Sequence, residues 1–416
     1  MKILFLSLVF FALSFGGDAT IEVIKKVESL PSLAVEDSSI SYDDTFRLKF
    51  FKTLVADLNV ISLFNVDRHH RTTHFNDTSV VVENKDMNYV LRYKLFEDDN
   101  GALNIGTKLI SNDKDVLIKN YKIKNKKVYM FIAHAIAYDI NEFMGAPSVE
   151  WMKRKVIFSR IINPKKSEII ISDYTLSYQH VVVKGGFNVF PKWANKQQSE
   201  FYYTSLDTKK PVLKHVNIRS GIVKTLISSD GMMICSDVSD DGSKLLLTMA
   251  PKGQPDVYLY NINSKRYKRL TKFSGIDVNA QFMNENSIVF VSNRLGYPNI
   301  FSKNIKNGEV EQMVYYGKSN SACSARGEYV VYKARETSSA FSSNTFNLHL
   351  ISTKTDFIRR LTATGVNEFP RFSRDGDAIL FIKNYKAQSS LGIIRLNHNK
   401  NYLFPLKSGR IQSMDW

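Results

Sequence analysis

What most constrains this chain is a unit that keeps returning. Residues 237–271 read DVSDDGSKLLLTMAPKGQPDVYLYNINSKRYKRLT. An approach segment leads to the turn Asp241-Gly242, then to strands at 244–249 and 257–262. A last strand closes on Leu270-Thr271. The Asp-Gly turn recurs at Asp375-Gly376 and the Leu-Thr ending at Leu361-Thr362. Aligning the units on a residue before each turn selects Trp193, Val238, Phe282, Cys323, Phe372 and Trp416. Their separations are 45, 44, 41, 49 and 44. Met152 lies 41 residues before Trp193 and precedes a strand at 155–159. Six intervals imply six repeats, and four short strands in ~40–45 residues make a propeller blade. The last anchor, in Ile411-Gln412-Ser413-Met414-Asp415-Trp416, stands alone. The C-terminus is therefore expected to lend one strand to a blade begun earlier, which closes the ring and removes open edges. The Asp-Gly pairs read as turn residues, because the turn needs a left-handed position.

Ahead of the repeats the periodicity changes. Phe46, Phe50, Leu54 and Leu58 recur every four residues over 45–59, with Asp43 and Asp44 at the N-terminal end, so a helix is expected. Strands are expected at 20–27, 89–97, 103–111 and 115–123, with Asp99-Asn100-Gly101 as a hairpin turn. A second helix is expected over 127–140, with Ile132, Ile136 and Ile140 on one face. The fold class is thus a small N-terminal α/β domain of mixed topology over 20–145. It is followed by a six-bladed all-β propeller of four-stranded blades over 146–416.

Residues 1–19 read as a cleavable secretory signal. Lys2 precedes an apolar run over 3–13, and Gly17-Asp18-Ala19 offers a cleavage site. The run is shorter than the ~20 residues a membrane span needs. An exported, soluble, monomeric protein is expected. Its two cysteines, Cys235 and Cys323, occupy different repeat positions and are expected as buried free thiols. The net charge of +17 comes from Lys and Arg scattered along the chain, with no nucleic-acid motif. Attraction to anionic envelope components is the milder reading.

Nothing in the sequence composes an active site. There is no G-x-S-x-G for a hydrolase, and the region before the propeller is too short to hold such a domain. No Gly-rich phosphate loop occurs, so no cofactor is expected. In the cluster His69, His70 and His74, the last two would share a face if helical, but their setting reads as a polar loop, so no metal is expected. Two binding functions remain: a protein-binding propeller, or one that binds sugar or cell wall by aromatic stacking.

Specific residues favour the first. Ser239-Asp240-Asp241-Gly242, Ser373-Arg374-Asp375-Gly376 and Ser292-Asn293-Arg294-Leu295-Gly296-Tyr297-Pro298 resemble the repeat of the TolB family, the periplasmic component of the Tol-Pal system. Ala56-Asp57-Leu58 with Leu63-Phe64 and Asp67-Arg68 resembles that family's first helix and following loop. Ala137-Tyr138-Asp139-Ile140 with Gly145-Ala146 resembles its link between domains. The resemblance implies a periplasmic, non-catalytic adaptor that binds the lipoprotein Pal and the inner-membrane protein TolA. It serves envelope integrity and outer-membrane constriction at division. It implies that loops entering the innermost strands form the Pal face: Met232, Met233, Val278, Asn279, Asn320, Asn367 and Glu368. Asn279-Ala280 departs from the family's frequent Glu-Pro at that point. It implies that Thr20, Ile21, Glu22, Val23 and Ile24 meet TolA, an extended segment being able to add to a partner's sheet edge.

Overall fold

Helix α1 (Asp44–Ile61) opens where Asp43 accepts a hydrogen bond from the Phe46 amide at 2.8 Å. Its four-residue stripe is buried: Phe50, Leu54 and Leu58 are 0% exposed. The stripe packs on helix α2 (Met130–Phe143) through Ala133, Ile136, Ala137 and Ile140. The computed structural model describes residues 30–317, 319–336, 345–355 and 357–416. The expected signal at 1–19, the strand at 20–27 and the segment Thr20 to Ile24 lie outside these residues.

The sheet beside the helices is mixed. The strands Tyr89–Glu97, Leu103–Ser111 and Lys114–Ile123 form an antiparallel meander at the expected positions. Its partner on the other side is Ser32–Asp37, which runs parallel to Tyr89–Glu97 and is not among the strands expected above. The reason is chemical: the segment ends in Glu36 and Asp37, which read as loop residues but are fully buried and paired. Glu36 accepts from Arg92 Nε at 2.9 Å, and Asp37 accepts from Arg47 Nε at 2.9 Å. The second helix also starts later than expected, because Lys126–Val128 forms a separate 3-10 turn.

Six four-stranded antiparallel blades follow. The innermost strands of blades 2 to 6 are Asn188–Trp193, Met233–Val238, Asp277–Asn284, Asn320–Arg326 and Val366–Phe372. The parallel pair Phe346↔Val366 bridges the sheets of blades 5 and 6, which also pack through a shared apolar cluster. Blade 1 is composite. The C-terminal strand Arg410–Asp415 is its innermost member and pairs antiparallel with Val156–Asn163. Met152, aligned with the anchors in sequence, lies in the 3-10 turn Glu150–Lys153 rather than in an approach strand.

Pairing corrects one anchor. Trp193, Val238, Phe282 and Phe372 each pair with the first or second residue of the next strand. In blade 5 that place belongs to Ala325, opposite Val330, and not to Cys323. Small residues around Ala325 hid the register, since no bulky side chain marks it. Both Asp-Gly turns have their glycine at positive φ, 74° at Gly242 and 87° at Gly376. Cys235 and Cys323 are buried and free, and burial raises both thiols, Cys323 to about 12.

Residues 31–145 and 146–416 share one core. Pro31–Trp416 forms a single compact unit. One apolar cluster runs from Phe50 and Leu58 through Trp151 and Tyr174 to Leu391 and Trp416. Polar locks reinforce it. Arg395 of blade 6, 0% exposed, donates from Nη1 to the carbonyls of Val60 (3.4 Å) and Ile61 (3.1 Å). It thereby caps the negative C-terminal end of α1. Tyr402 Oη donates to the Asn59 carbonyl at 2.9 Å.

Within blade 6 one glycine is dictated by packing. A Cβ on Gly392 would sit 2.2 Å from Cζ of Phe381, its cross-strand partner, which is 1% exposed. Gly392→Ala is expected to cost roughly 1–3 kcal/mol, the usual penalty of overpacking a filled core. Urea denaturation monitored by tryptophan fluorescence checks this; an unchanged midpoint would show that Phe381 can move aside.

Candidate functional site

The propeller's axis is lined by the six innermost strands, and each carries a β-bulge. Four bulges place a residue other than glycine in the left-handed region: Phe190 (φ 54°), Asn279 (54°), Ala322 (50°) and Phe369 (50°). Each lies three positions before its blade's anchor. Left-handed backbone costs a Phe or Ala side chain of order 1–3 kcal/mol, so it persists only where packing holds it. Here it turns these side chains into the channel.

The result is an apolar mouth at the end where the chain enters each blade. A cavity of about 240 Å³ is lined by Phe190, Met232, Ile234, Val278, Asn279, Ala322 and Phe369, among others. Phe190 and Phe369 come from blades 2 and 6, and their ring centroids approach to 6.4 Å. Met232 is 41% exposed.

Of the residues expected here, Met232, Val278 and Asn279 are brought together at this mouth. Glu368 stands beside it, half-buried, paired with Lys333 Nζ at 3.2 Å and accepting from Asn384 Nδ2 at 3.1 Å. Met233, Asn320 and Asn367 are not presented: they are 1%, 0% and 0% exposed. Met233 packs between blades 2 and 3. Asn320 Nδ2 donates to the Tyr316 carbonyl at 2.9 Å, and Asn367 Nδ2 to the Thr364 carbonyl at 3.1 Å. Each asparagine ties down the loop that enters its own blade, as Asn188 does through the Gly185 carbonyl at 2.6 Å. The residues missed in sequence are Phe190 and Phe369. The spacing of three before the anchor is the signal that could have found them.

Deeper in the channel a polar ring occupies one position per blade: Lys192, Asp237, Gln281, Ser324, Arg371 and Asp415. Lys192 Nζ lies 2.8 Å from Asp415 and 3.1 Å from Asp237. Burial alone would lower its pKa, but those two charges raise it, so it stays cationic. On alternate blades the ring also staples neighbours. Asp415 Oδ2 accepts from the Trp193 amide at 3.0 Å and Asp237 Oδ2 from the Phe282 amide at 2.9 Å. Ser324 Oγ accepts from the Phe372 amide at 3.4 Å.

His69 and His70 are engaged separately. His69 Nδ1 lies 2.6 Å from Asp67, and His70 Nε2 2.9 Å from Asp37. The ionisable cluster that sequence reading missed is buried where the α/β region meets blade 1. His134 of α2 has Nδ1 2.7 Å from Asp57 of α1 and Nε2 3.3 Å from Asp173 of blade 1. Tyr174 Oη donates to the other oxygen of Asp57.

A six-bladed ring closed by its own C-terminal strand, with a lined channel and a fused α/β region, defines the class: a closed β-propeller joined to a small α/β region. The sequence profile described as the TolB beta propeller domain matches residues 152–416. The chain is 46% identical to the Tol-Pal system protein TolB of Wolinella succinogenes over 97% of both chains. It is 43% identical to that of Helicobacter hepaticus over 99% of this chain and 100% of the other. Its fold is similar to the crystal structure of TolB from Acinetobacter baumannii, with a TM-score of 0.76 and 17% identity. That match covers 93% of this chain and 97% of that one. The chain belongs to the TolB family, whose members are components of the Tol-Pal system and not enzymes.

Proposed function

We propose that this protein is the periplasmic adaptor of its Tol-Pal system. It joins the lipoprotein Pal to the inner-membrane protein TolA and so supports envelope integrity and outer-membrane constriction at division. The observation that carries the reading is the apolar mouth, where Phe190, Phe369 and Met232 converge on a channel otherwise lined by ion pairs. A pre-formed, rigid apolar site offers binding energy without an ordering cost. Flexible, exposed Met232 suits adaptable contact. The Pal footprint falls on Met232, Val278 and Asn279 with the two phenylalanines; Met233, Asn320 and Asn367 support the loops from beneath. Thr20, Ile21, Glu22, Val23 and Ile24 are the segment for TolA, reached by strand addition. Among the described residues no helix is long and apolar enough to cross a membrane.

The test is a pull-down from a detergent extract of the cell's own envelope. The full mature chain on the resin should retain a peptidoglycan-binding lipoprotein. The double change Phe190→Gly and Phe369→Gly should reduce retention by roughly 30-fold, since truncating central anchors costs ~2 kcal/mol or more. Glycine relieves the left-handed backbone at both sites, so thermal stability should hold. Deleting residues 20–24 should weaken TolA binding and leave the lipoprotein bound. Equal retention by the wild-type and double-glycine chains would remove the mouth from the interface.

A further inference from the structure

The opposite end of the channel is a wider funnel of about 870 Å³, and its chemistry differs from the apolar mouth. Arg154 reaches it from the segment before blade 1, Arg326 from blade 5, and Arg371 and Arg374 from blade 6. The carboxylates nearby are largely engaged elsewhere. Asp415 and Asp237 both hold Lys192. Asp241 accepts from the Ser239 hydroxyl at 2.6 Å and the Ser243 amide at 3.0 Å within its own turn. Asp240 is left to serve two arginines, at 3.7 Å from Arg374 and 3.9 Å from Arg326, beyond hydrogen-bonding distance.

Two of the four guanidinium groups are weakly compensated. Among the described residues Arg154 has no carboxylate within 4.0 Å, and its Nη1 donates only to the Lys196 carbonyl at 3.2 Å. Its pKa is lowered by burial and then by the charge of Arg374, so two like charges face one another here. Arg371 is 8% exposed, and Asp415 lies 3.9 Å from its Nε. The Nε donors of Arg154 and Arg371 are both buried without a hydrogen-bond partner. A buried donor left unpaired is costly, and more so when it carries charge. Clustered guanidinium forks with spare donors are the geometry that grips a phosphate or a carboxylate.

We infer that this funnel is a binding site for a compact oxyanion, phosphate or carboxylate, held by Arg154, Arg371 and Arg374 with Arg326 at the rim. It is separate from the apolar mouth at the other end of the channel and does not depend on the adaptor reading. It also gives part of the +17 net charge a defined place.

Calorimetric titration of the full mature chain at low salt tests this, with glycerol 3-phosphate in one arm and citrate in the other. Saturable one-site binding is expected in at least one arm, and the arm that binds identifies the oxyanion. The double change Arg154→Gln and Arg374→Gln should weaken it at least about tenfold, as expected for losing a charged hydrogen bond. Arg374→Lys should recover part of the loss. Lys166→Gln, exposed at a turn of blade 1 outside the funnel, should leave it unchanged. Three results would overturn the site: no saturation with either probe, unchanged binding in the double variant, or an equal loss in Lys166→Gln. The last would mark a diffuse attraction to a basic protein.

Discussion

A chain ending at residue 409 is expected to collapse into an aggregating, non-cooperative species rather than melt a few degrees early. The missing strand carries Ile411 (1% exposed), Met414 (2%) and Trp416 (9%). Deleting three such side chains forfeits about 1.5–3 kcal/mol of burial each and uncovers the apolar residues they pack against. Losing Asp415 strips Lys192 of its nearest counter-charge, and uncompensating a buried ion pair costs roughly 3–5 kcal/mol. Together these rival the whole stability of a typical domain, about 5–15 kcal/mol. The strand Val156–Asn163 would also become an open, apolar edge, a template for aggregation. Size-exclusion chromatography and far-UV circular dichroism melting check this. A monomeric truncation melting cooperatively within about 5 °C of the full chain would show that ring closure is dispensable.

His134→Leu is expected to cost about 3–5 kcal/mol, because it leaves Asp57 and Asp173 buried side by side without their cation. Changing His134 and Asp57 together to leucine should restore part of that loss, since the pair is coupled. The pH dependence has a defined sign. Burial alone would push His134 down, but the charge of Asp57 and the hydrogen bond to Asp173 raise it from 6.5 to about 9. The folded chain therefore binds this proton more tightly than the unfolded chain does. Its contribution is complete below about pH 6.5 and is lost as pH rises through about 9. Urea midpoints of the wild type should fall between pH 6.5 and 9.5 by more than those of His134→Leu. Parallel pH profiles for the two proteins would show that His134 is neutral throughout.

Much of the architecture could be read from residue pattern because it is local. Asp99-Asn100-Gly101 and Asp241-Gly242 demand turns by their backbone preferences, and Phe46 to Leu58 demands a helix by its spacing. The repeat made six blades and a borrowed final strand the arrangement that pairs every inner strand. The misreadings share a cause. Ser32–Asp37 was hidden because Glu36 and Asp37 look solvated until Arg92 and Arg47 arrive from distant sequence. Ala325 was passed over because small side chains carry no register signal. Met233, Asn320 and Asn367 looked available because only packing shows that they face inward.

The sequence by itself determined the ring, its closure and its kinship, since strand period, turn chemistry and repeat spacing are properties of neighbouring residues. The tertiary structure alone decided what the ring presents. Phe190 and Phe369, 179 positions apart, meet because two bulges turn them into one channel. Lys192 stays charged only because Asp415 and Asp237 arrive from other blades. His134 is held between α1 and blade 1 by carboxylates 77 and 39 residues away. Such groupings depend on through-space electrostatics and packing, which pair spacing along a chain does not encode.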